Sequence, residues 1–242
     1  GRRWGLDAKD SGVYVLPPRE KADANLDVYR GTADAISQNI DFIDTYSPDY
    51  LLILSGDHIY KMNYDKMLEY HKQNNADATI AVIEVPMKEA SRFGIMNTDE
   101  TGHIVEFEEK PEHPKSNYCV TGLYFYDKNV VEYAKQIKPS ARGELEITDL
   151  NKIYLEKGKL DVVTLGRGYA WLDTGTMDAL SEATEFIKVI ENRQGIQISA
   201  IEEIAYKNGW ITKEQLEKHA VKYGKSPYGK HLQKVAEGKI KY

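Results

Sequence analysis

Hydrophobic positions change period along this chain, and each change marks an element. Tyr50-Leu51-Leu52-Ile53-Leu54 is an unbroken apolar run, which predicts a central strand covered on both faces in a parallel sheet. Ala76 to Val85 repeats that pattern, and between the two runs Asn63 caps a stretch carrying Met67, Leu68 and Tyr70. The three pieces read as a strand–helix–strand unit. Upstream, Gly12 to Leu16 is β-branched and aromatic and closed by Pro17-Pro18, which predicts a strand followed by a loop. Ile36, Ile40 and Ile43 then fall on one stripe, predicting a single helix from about Ala33 to Tyr46.

Downstream, Gly94 to Met96 and Ile104 to Phe107 form a hairpin pattern around Asp99 and Gly102. Val120 to Tyr126 is a further strand. Ile147, Leu150 and Tyr154 mark a helix ending at Gly158, and Leu160 to Leu165 returns as a strand. Leu180, Ala183, Ile187 and Ile190 define a long helix begun by Thr174-Gly175-Thr176. Ser199-x-x-Glu202 and Thr212-x-x-Gln215 both have capping-box spacing, so the last stretch reads as a helical tail. The expected division is a catalytic domain over 1–195 and a tail over 196–242.

Composition narrows the classes. The chain has 242 residues, 41% hydrophobic and 29% charged, with a formal net charge of −6, which excludes disordered and fibrous proteins. Its longest apolar run is strand-sized, well short of the roughly 18 residues that a membrane span needs. One cysteine, Cys119, excludes an internal disulfide framework, and with no signal-like start a reducing cytoplasm is the expected location. Lys and Arg are scattered rather than clustered, which argues against a nucleic-acid surface and for a small ligand.

Two aspartates stand at strand ends, where open α/β sheets bind ligands: Asp57, after Ser55-Gly56, and Asp173, in Trp171-Leu172-Asp173-Thr174-Gly175. Taken together they offer the hard oxygen ligands that Mg²⁺ prefers when it also meets phosphates, although each alone suits a turn former or helix cap. Glu109 and Lys110 project from an extended segment that Pro111 ends, a pairing that suits a sugar phosphate and equally a solvated charge run. Arg142-Gly143-Glu144-Leu145-Glu146 opens a helix, where glutamates complement the dipole without any ligand. No zinc spacing, nucleophile elbow, Walker loop or GxGxxG occurs.

Longer matches carry a resemblance. Ser55-Gly56-Asp57-His58-Ile59-Tyr60-Lys61-Met62, Ser91 to Met96 and Phe107-Glu108-Glu109-Lys110-Pro111 resemble the glucose-1-phosphate adenylyltransferase family. From about Tyr118 the chain, with Val120 to Asp127, Lys138 to Asp149 and Gly166 to Thr176, is similar to glucose-1-phosphate thymidylyltransferases. Both are sugar-1-phosphate nucleotidylyltransferases. The resemblance implies an α/β fold, a Rossmann-like mixed sheet with helices on both faces and a helical C-terminal tail. It also implies attack by the phosphate oxygen of glucose 1-phosphate on the α-phosphorus of ATP or dTTP, releasing pyrophosphate.

By position in the matched motifs, Asp57 and Asp173 would hold Mg²⁺ and Lys110 would meet the sugar phosphate with Arg142. Glu109 would accept hydrogen bonds from the sugar hydroxyls, and the backbone of Gly94 and Val120 would line the hexose. Gly31 would let the backbone approach the base; Phe93, Glu144, Thr148 and Trp171 are further substrate-binding candidates. Gly31 to Ala35 with Phe93-Gly94 leans towards ATP, and the segment after Tyr118 towards dTTP. The families form symmetric oligomers, so a homo-oligomer is expected.

The family's GGxGxRL loop and its following Lys are not among these residues, and the chain starts at Gly1 without Met. The 242-residue chain is therefore expected to turn over weakly or not at all, because phosphate-cradling amides and a cation are each worth several kcal/mol in such a transition state. An alternative reading is a non-catalytic module that binds sugar phosphate or nucleotide sugar. An inverting glycosyltransferase would need an Asp-x-Asp motif, which the chain lacks.

Overall fold

The computed structural model describes residues 12–18 and 29–240. The chain divides into two compact units, Gly1–Trp171 and Leu172–Tyr242. The first is built on strands β1 (Tyr50–Leu54), β2 (His58–Lys61), β3 (Ala78–Glu84), β4 (Gly94–Thr98), β5 (Ile104–Glu109), β6 (Tyr118–Asp127) and β7 (Leu160–Thr164), with β8 (Ala170–Asp173) beginning in it. Its helices are α1 (Thr32–Ser37), α2 (Ile40–Tyr46), α3 (Tyr64–Gln73), α4 (Val130–Ala134) and α5 (Ile147–Glu156).

The long β6 organises the main sheet, whose order is β5-β4-β6-β3-β7 with β1 also on β6. Along one side β6 runs antiparallel to β3. Its other side takes β1 at one end (Leu54 opposite Leu123) and β4 at the other (Ile95 opposite Cys119). Among the described strands of this sheet, β3 and β7 pair in parallel and the other neighbours antiparallel, so the sheet is mixed, as expected. Alternate residues of β3 and β6 enter opposite cores. Ile80, Val82, Tyr124 and Tyr126 meet Ala33, Val130, Leu150 and Tyr154 on one face; Ala81, Leu123 and Phe125 meet Met67 on the other. Helices therefore cover both faces, and burial supplies the stabilisation, roughly 1.5–3 kcal/mol for each large apolar side chain removed from water.

Four expectations change. Tyr50 to Leu54 is a strand, but it has an antiparallel neighbour and alternates in burial, with Tyr50, Leu52 and Leu54 at 41%, 40% and 40% exposure. A wholly apolar run hides which face is covered, because period-2 information is lost from it. Gly12 to Leu16 forms no strand and lies exposed; the Tyr14 ring packs on Phe42 at 4.9 Å instead. β-Propensity expresses itself only where a neighbour completes the ladder. The helix from Ala33 to Tyr46 breaks into α1 and α2, because the Asn39 side chain donates to the Ala35 carbonyl at 2.8 Å while its backbone N–H turns to Ile36 at 3.0 Å. Ser199 is not a cap: Ala200 precedes the next helix, and the Glu202 carboxylate instead accepts the Tyr223 hydroxyl at 3.0 Å.

The second unit contains α6 (Met177–Gln194), α7 (Ile201–Lys207), α8 (Lys213–Tyr223) and α9 (Pro227–Ala236). The Thr212–Gln215 capping box forms as expected, and Leu216, Ala220, Leu232, Val235 and Ala236 make a small core.

His71 on α3 gives a first prediction. It is buried, with Nδ1 2.7 Å from the Thr79 hydroxyl and Nε2 without a hydrogen-bond partner among the described residues. Burial pushes its pKa below the usual histidine value, so the fold favours the neutral ring while the unfolded chain takes up the proton more readily. Stability from this site is therefore full above about pH 6.5 and is lost as the pH falls below it. Urea unfolding from pH 8 to pH 5 is expected to show a decline that His71→Phe flattens; equal declines would contradict the assignment.

Candidate active site

Four sequence-predicted residues converge at one end of β4, β5 and β6. Gly94 opens β4 directly opposite Glu109, the last residue of β5. The Thr148 hydroxyl, in the first turn of α5, donates to Glu109 Oε2 at 2.6 Å. A side chain at Gly94 would place its Cβ 3.3 Å from Glu109 Oε2 and 3.8 Å from both Thr148 Oγ1 and Val120 Cβ, so glycine here leaves the Glu109 carboxylate uncrowded.

Arg142 reaches the same place from the loop before α5. Its Nη1 lies 3.9 Å from Glu109 Oε1 and 3.4 Å from the buried Glu146, while Nη2 donates to Glu144 at 3.1 and 3.2 Å. Arg142 and Glu144 do not open the helix, contrary to the sequence reading. Gly143, at φ +76, turns the chain there, and α5 begins at Ile147 with Glu146 as its N-cap. Three carboxylates thus preorient one half-exposed guanidinium.

Lys110 follows Glu109 in the left-handed region, at φ +45, with its N–H donating to the Phe93 carbonyl at 3.1 Å. A lysine in that region pays roughly 1 kcal/mol of strain, and such strain collects at functional sites. The Phe93 ring itself packs edge-on against Trp171 at 5.2 Å. Gly31, at φ +101, lies against the chain: a Cβ there would stand 2.6 Å from the Leu145 carbonyl oxygen, and the Leu145 N–H donates to Arg30. Close backbone packing accounts for that glycine.

Asp57 stands just beyond β1, its side chain 66% exposed, and His58 beside it is only 14% exposed. His58 Nδ1 is 3.2 Å from Trp171 Nε1 and 3.0 Å from the Thr121 carbonyl, and the two rings meet edge-on at 5.2 Å. Trp171 lies on β8, which pairs with β2. Asp173 ends β8, in the second unit; its Oδ1 accepts the Gly175 N–H at 3.0 Å, and Thr176 caps α6 by accepting the Ala179 N–H at 3.2 Å. Each aspartate thus offers a carboxylate oxygen on a short turn, the kind of hard donor that a divalent cation takes.

Sequence reasoning passed over Gly122. At φ +71 it sits in a bulge where the β3–β6 register shifts, and the Thr121 hydroxyl donates to the Ala81 carbonyl at 2.9 Å. A Cβ there would fall 2.5 Å from Ser55 Oγ and 3.0 Å from His58 Nδ1. A glycine inside a strand pattern was the available signal. Gly122→Ala is expected to cost about 1–3 kcal/mol of stability and to displace His58. Urea denaturation checks it, and an unchanged midpoint would contradict the packing described.

A family model described as nucleotidyl transferase matches residues 6–189. A glucose-1-phosphate adenylyltransferase of Clostridium perfringens is 52% identical over 186 residues, 76% of this chain and 47% of that protein. A glucose-1-phosphate thymidylyltransferase of Neisseria meningitidis is 45% identical over 203 residues, 84% of this chain and 69% of that protein. The crystal structure of a Bacillus anthracis protein named as a putative glucose-1-phosphate thymidylyltransferase, in complex with sucrose, superposes with a TM-score of 0.58 at 37% identity, covering 66% of this chain and 62% of that one. The chain spans about half the length of the Clostridium relatives. With that match to the family model over most of its length, the chain belongs to the sugar-1-phosphate nucleotidyltransferase family.

Proposed function

We propose that the protein transfers a nucleotidyl group from ATP or dTTP to glucose 1-phosphate, releasing pyrophosphate. The observation that carries the reading is the convergence of Glu109, Thr148, Gly94 and Val120 at one end of β4, β5 and β6, with Lys110 next in the chain and Arg142 Nη1 3.9 Å from Glu109. That arrangement suits a phosphorylated hexose: a carboxylate fixed by the Thr148 hydroxyl accepts sugar hydroxyls, and two cations take the phosphate.

By their positions in the matched motifs, Asp57 and Asp173 would each offer a carboxylate oxygen to a divalent cation, Mg²⁺. When bound, it neutralises charge on the triphosphate at the α-phosphorus. The chain's own work is alignment. Glu109 and the floor at Gly94 and Val120 orient the hexose so that its phosphate oxygen points away from the sugar pocket. Lys110 and Arg142 hold that phosphate against charge repulsion from the incoming triphosphate. Phe93 and Trp171, whose rings pack edge-on at 5.2 Å, are further substrate contacts in this reading. Glu144 keeps Arg142 in place, and Gly31 lets its loop pack on Leu145. A cytoplasmic location and a symmetric homo-oligomer belong to the same reading; no helix among the described residues is long and apolar enough to cross a membrane.

Pyrophosphate release with Mg²⁺ and either ATP or dTTP, with and without glucose 1-phosphate, tests the proposal. The expected result is release, however slow, that requires the sugar phosphate and prefers one of the two bases. Uptake of glucose 1-phosphate with no exchange of labelled pyrophosphate into either triphosphate would overturn it in favour of a binding module.

A further inference from the structure

Asp57 stands on an exposed turn: its side chain is 66% exposed, and a Cβ on the preceding Gly56 would meet no atom within 4 Å among the described residues. A cation ligand so placed takes its precision from what ties the turn down. The turn, residues 55–57, has two legs, β1 before it and β2 after it, and both are tied to one place on β6, the bulge at Thr121 and Gly122. From the first leg the Ser55 N–H donates to the Gly122 carbonyl at 2.9 Å. From the second, the Tyr60 hydroxyl lies 2.8 Å from the Thr121 carbonyl and 3.0 Å from the Gly122 carbonyl, so its one proton is shared between them. His58 Nδ1, at 3.3 Å, and Ser55 also border the phenol oxygen. The Tyr60 ring packs against Tyr64 at 6.3 Å and on the core of Met67, Leu123 and Phe125, so the hydroxyl reaches the bulge from a fixed base.

We propose that Tyr60 is a positioning residue for Asp57: its hydroxyl closes the second leg of the turn onto the β6 bulge and so holds the Asp57 carboxylate ready for a divalent cation. The proposal rests on the cation reading for Asp57 given above. The gain is preorganisation. A carboxylate on an untied turn must be ordered when the ion arrives, and that entropy is lost from affinity, whereas a tied turn has been ordered by folding. Gly122 completes the arrangement. At φ +71, with a Cβ there only 2.5 Å from Ser55 Oγ, glycine lets β6 come this close to the turn.

Tyr60→Phe keeps the ring and removes the bond. It is expected to weaken Mn²⁺ binding about tenfold, the lower end of the loss when a partner behind a metal ligand is removed. Glucose 1-phosphate binding to the metal-free protein, at Glu109 on β5, is expected to stay within about twofold, as for separated sites. Placing 4-aminophenylalanine at position 60 restores a donor and should recover most of the Mn²⁺ affinity. Unchanged Mn²⁺ affinity in Tyr60→Phe would overturn the proposal, and so would equal weakening of both ligands, the mark of a general loosening. Should Tyr60→Phe not fold, hydrogen exchange of the wild type decides: the Ser55 amide is expected to exchange as slowly as the paired amides of β1 and β6, and exchange at the rate of an open loop would overturn the proposal. The cation reading fails separately, if Asp57→Asn leaves Mn²⁺ affinity intact.

Discussion

Replacing Asp57 by Asn is expected to weaken Mg²⁺ or Mn²⁺ binding by about two orders of magnitude, the upper end of what even indirect partners of a metal ligand cost when removed. The amide has the shape of the carboxylate but lacks its charge, and a dication draws most of its affinity from charged oxygens. The side chain is 66% exposed and lies in a turn, so little packing is at stake. Substitutions at such positions usually stay within about 0.5 kcal/mol in stability, which separates a lost ligand from a damaged fold. Electron paramagnetic resonance titration with Mn²⁺ checks the first effect and urea denaturation the second. Unchanged Mn²⁺ affinity would remove Asp57 from the cation site.

Glu109→Gln is expected to weaken glucose 1-phosphate binding about 10- to 100-fold, corresponding to one charge-assisted hydrogen bond of roughly 1.5–3 kcal/mol. Two effects oppose one another here. Losing the carboxylate weakens the bonds to sugar hydroxyls, but it also frees Arg142, whose Nη1 lies 3.9 Å away, to attract phosphate more strongly. The ion pair is half exposed and long, so it is worth less than about 1 kcal/mol, and the lost hydrogen bond wins. Thr148→Val should reproduce part of the effect by removing the hydroxyl that donates to Glu109. Calorimetry with each variant checks the order; tighter binding in Glu109→Gln would assign Glu109 to restraining Arg142 instead.

Legibility in the sequence followed the physics of each signal. Residues 160–165 and 120–126 were readable as strands because their apolar runs are bounded by glycine or charge, and Thr212–Gln215 because a capping box is local. The β1 run was readable as a strand but not as an antiparallel neighbour of β6, since pairing direction depends on residues some 70 positions away. The break at Asn39 depended on a side-chain bond to Ala35, which competes with the helix at nearly equal strength and leaves the apolar stripe intact.

The same division holds in the site. Asp57, Glu109 and Lys110 stood out as chemistry at strand ends, and the resemblance supplied the roles of Val120 and Thr148. The bulge at Gly122, the indole bond to His58 and the enclosure of Arg142 by three carboxylates are all tertiary. Residues 1–11, 19–28 and 241–242 lie outside the described residues.

The account depends on the cluster at Glu109 recognising a hexose with its phosphate on carbon 1. Isothermal titration of the wild-type protein with glucose 1-phosphate, set beside glucose 6-phosphate and glucose, tests this most directly. Saturable binding of glucose 1-phosphate at a concentration where the other two give no heat is the predicted result. Equal binding of all three, or none by a protein shown to be folded, would contradict it.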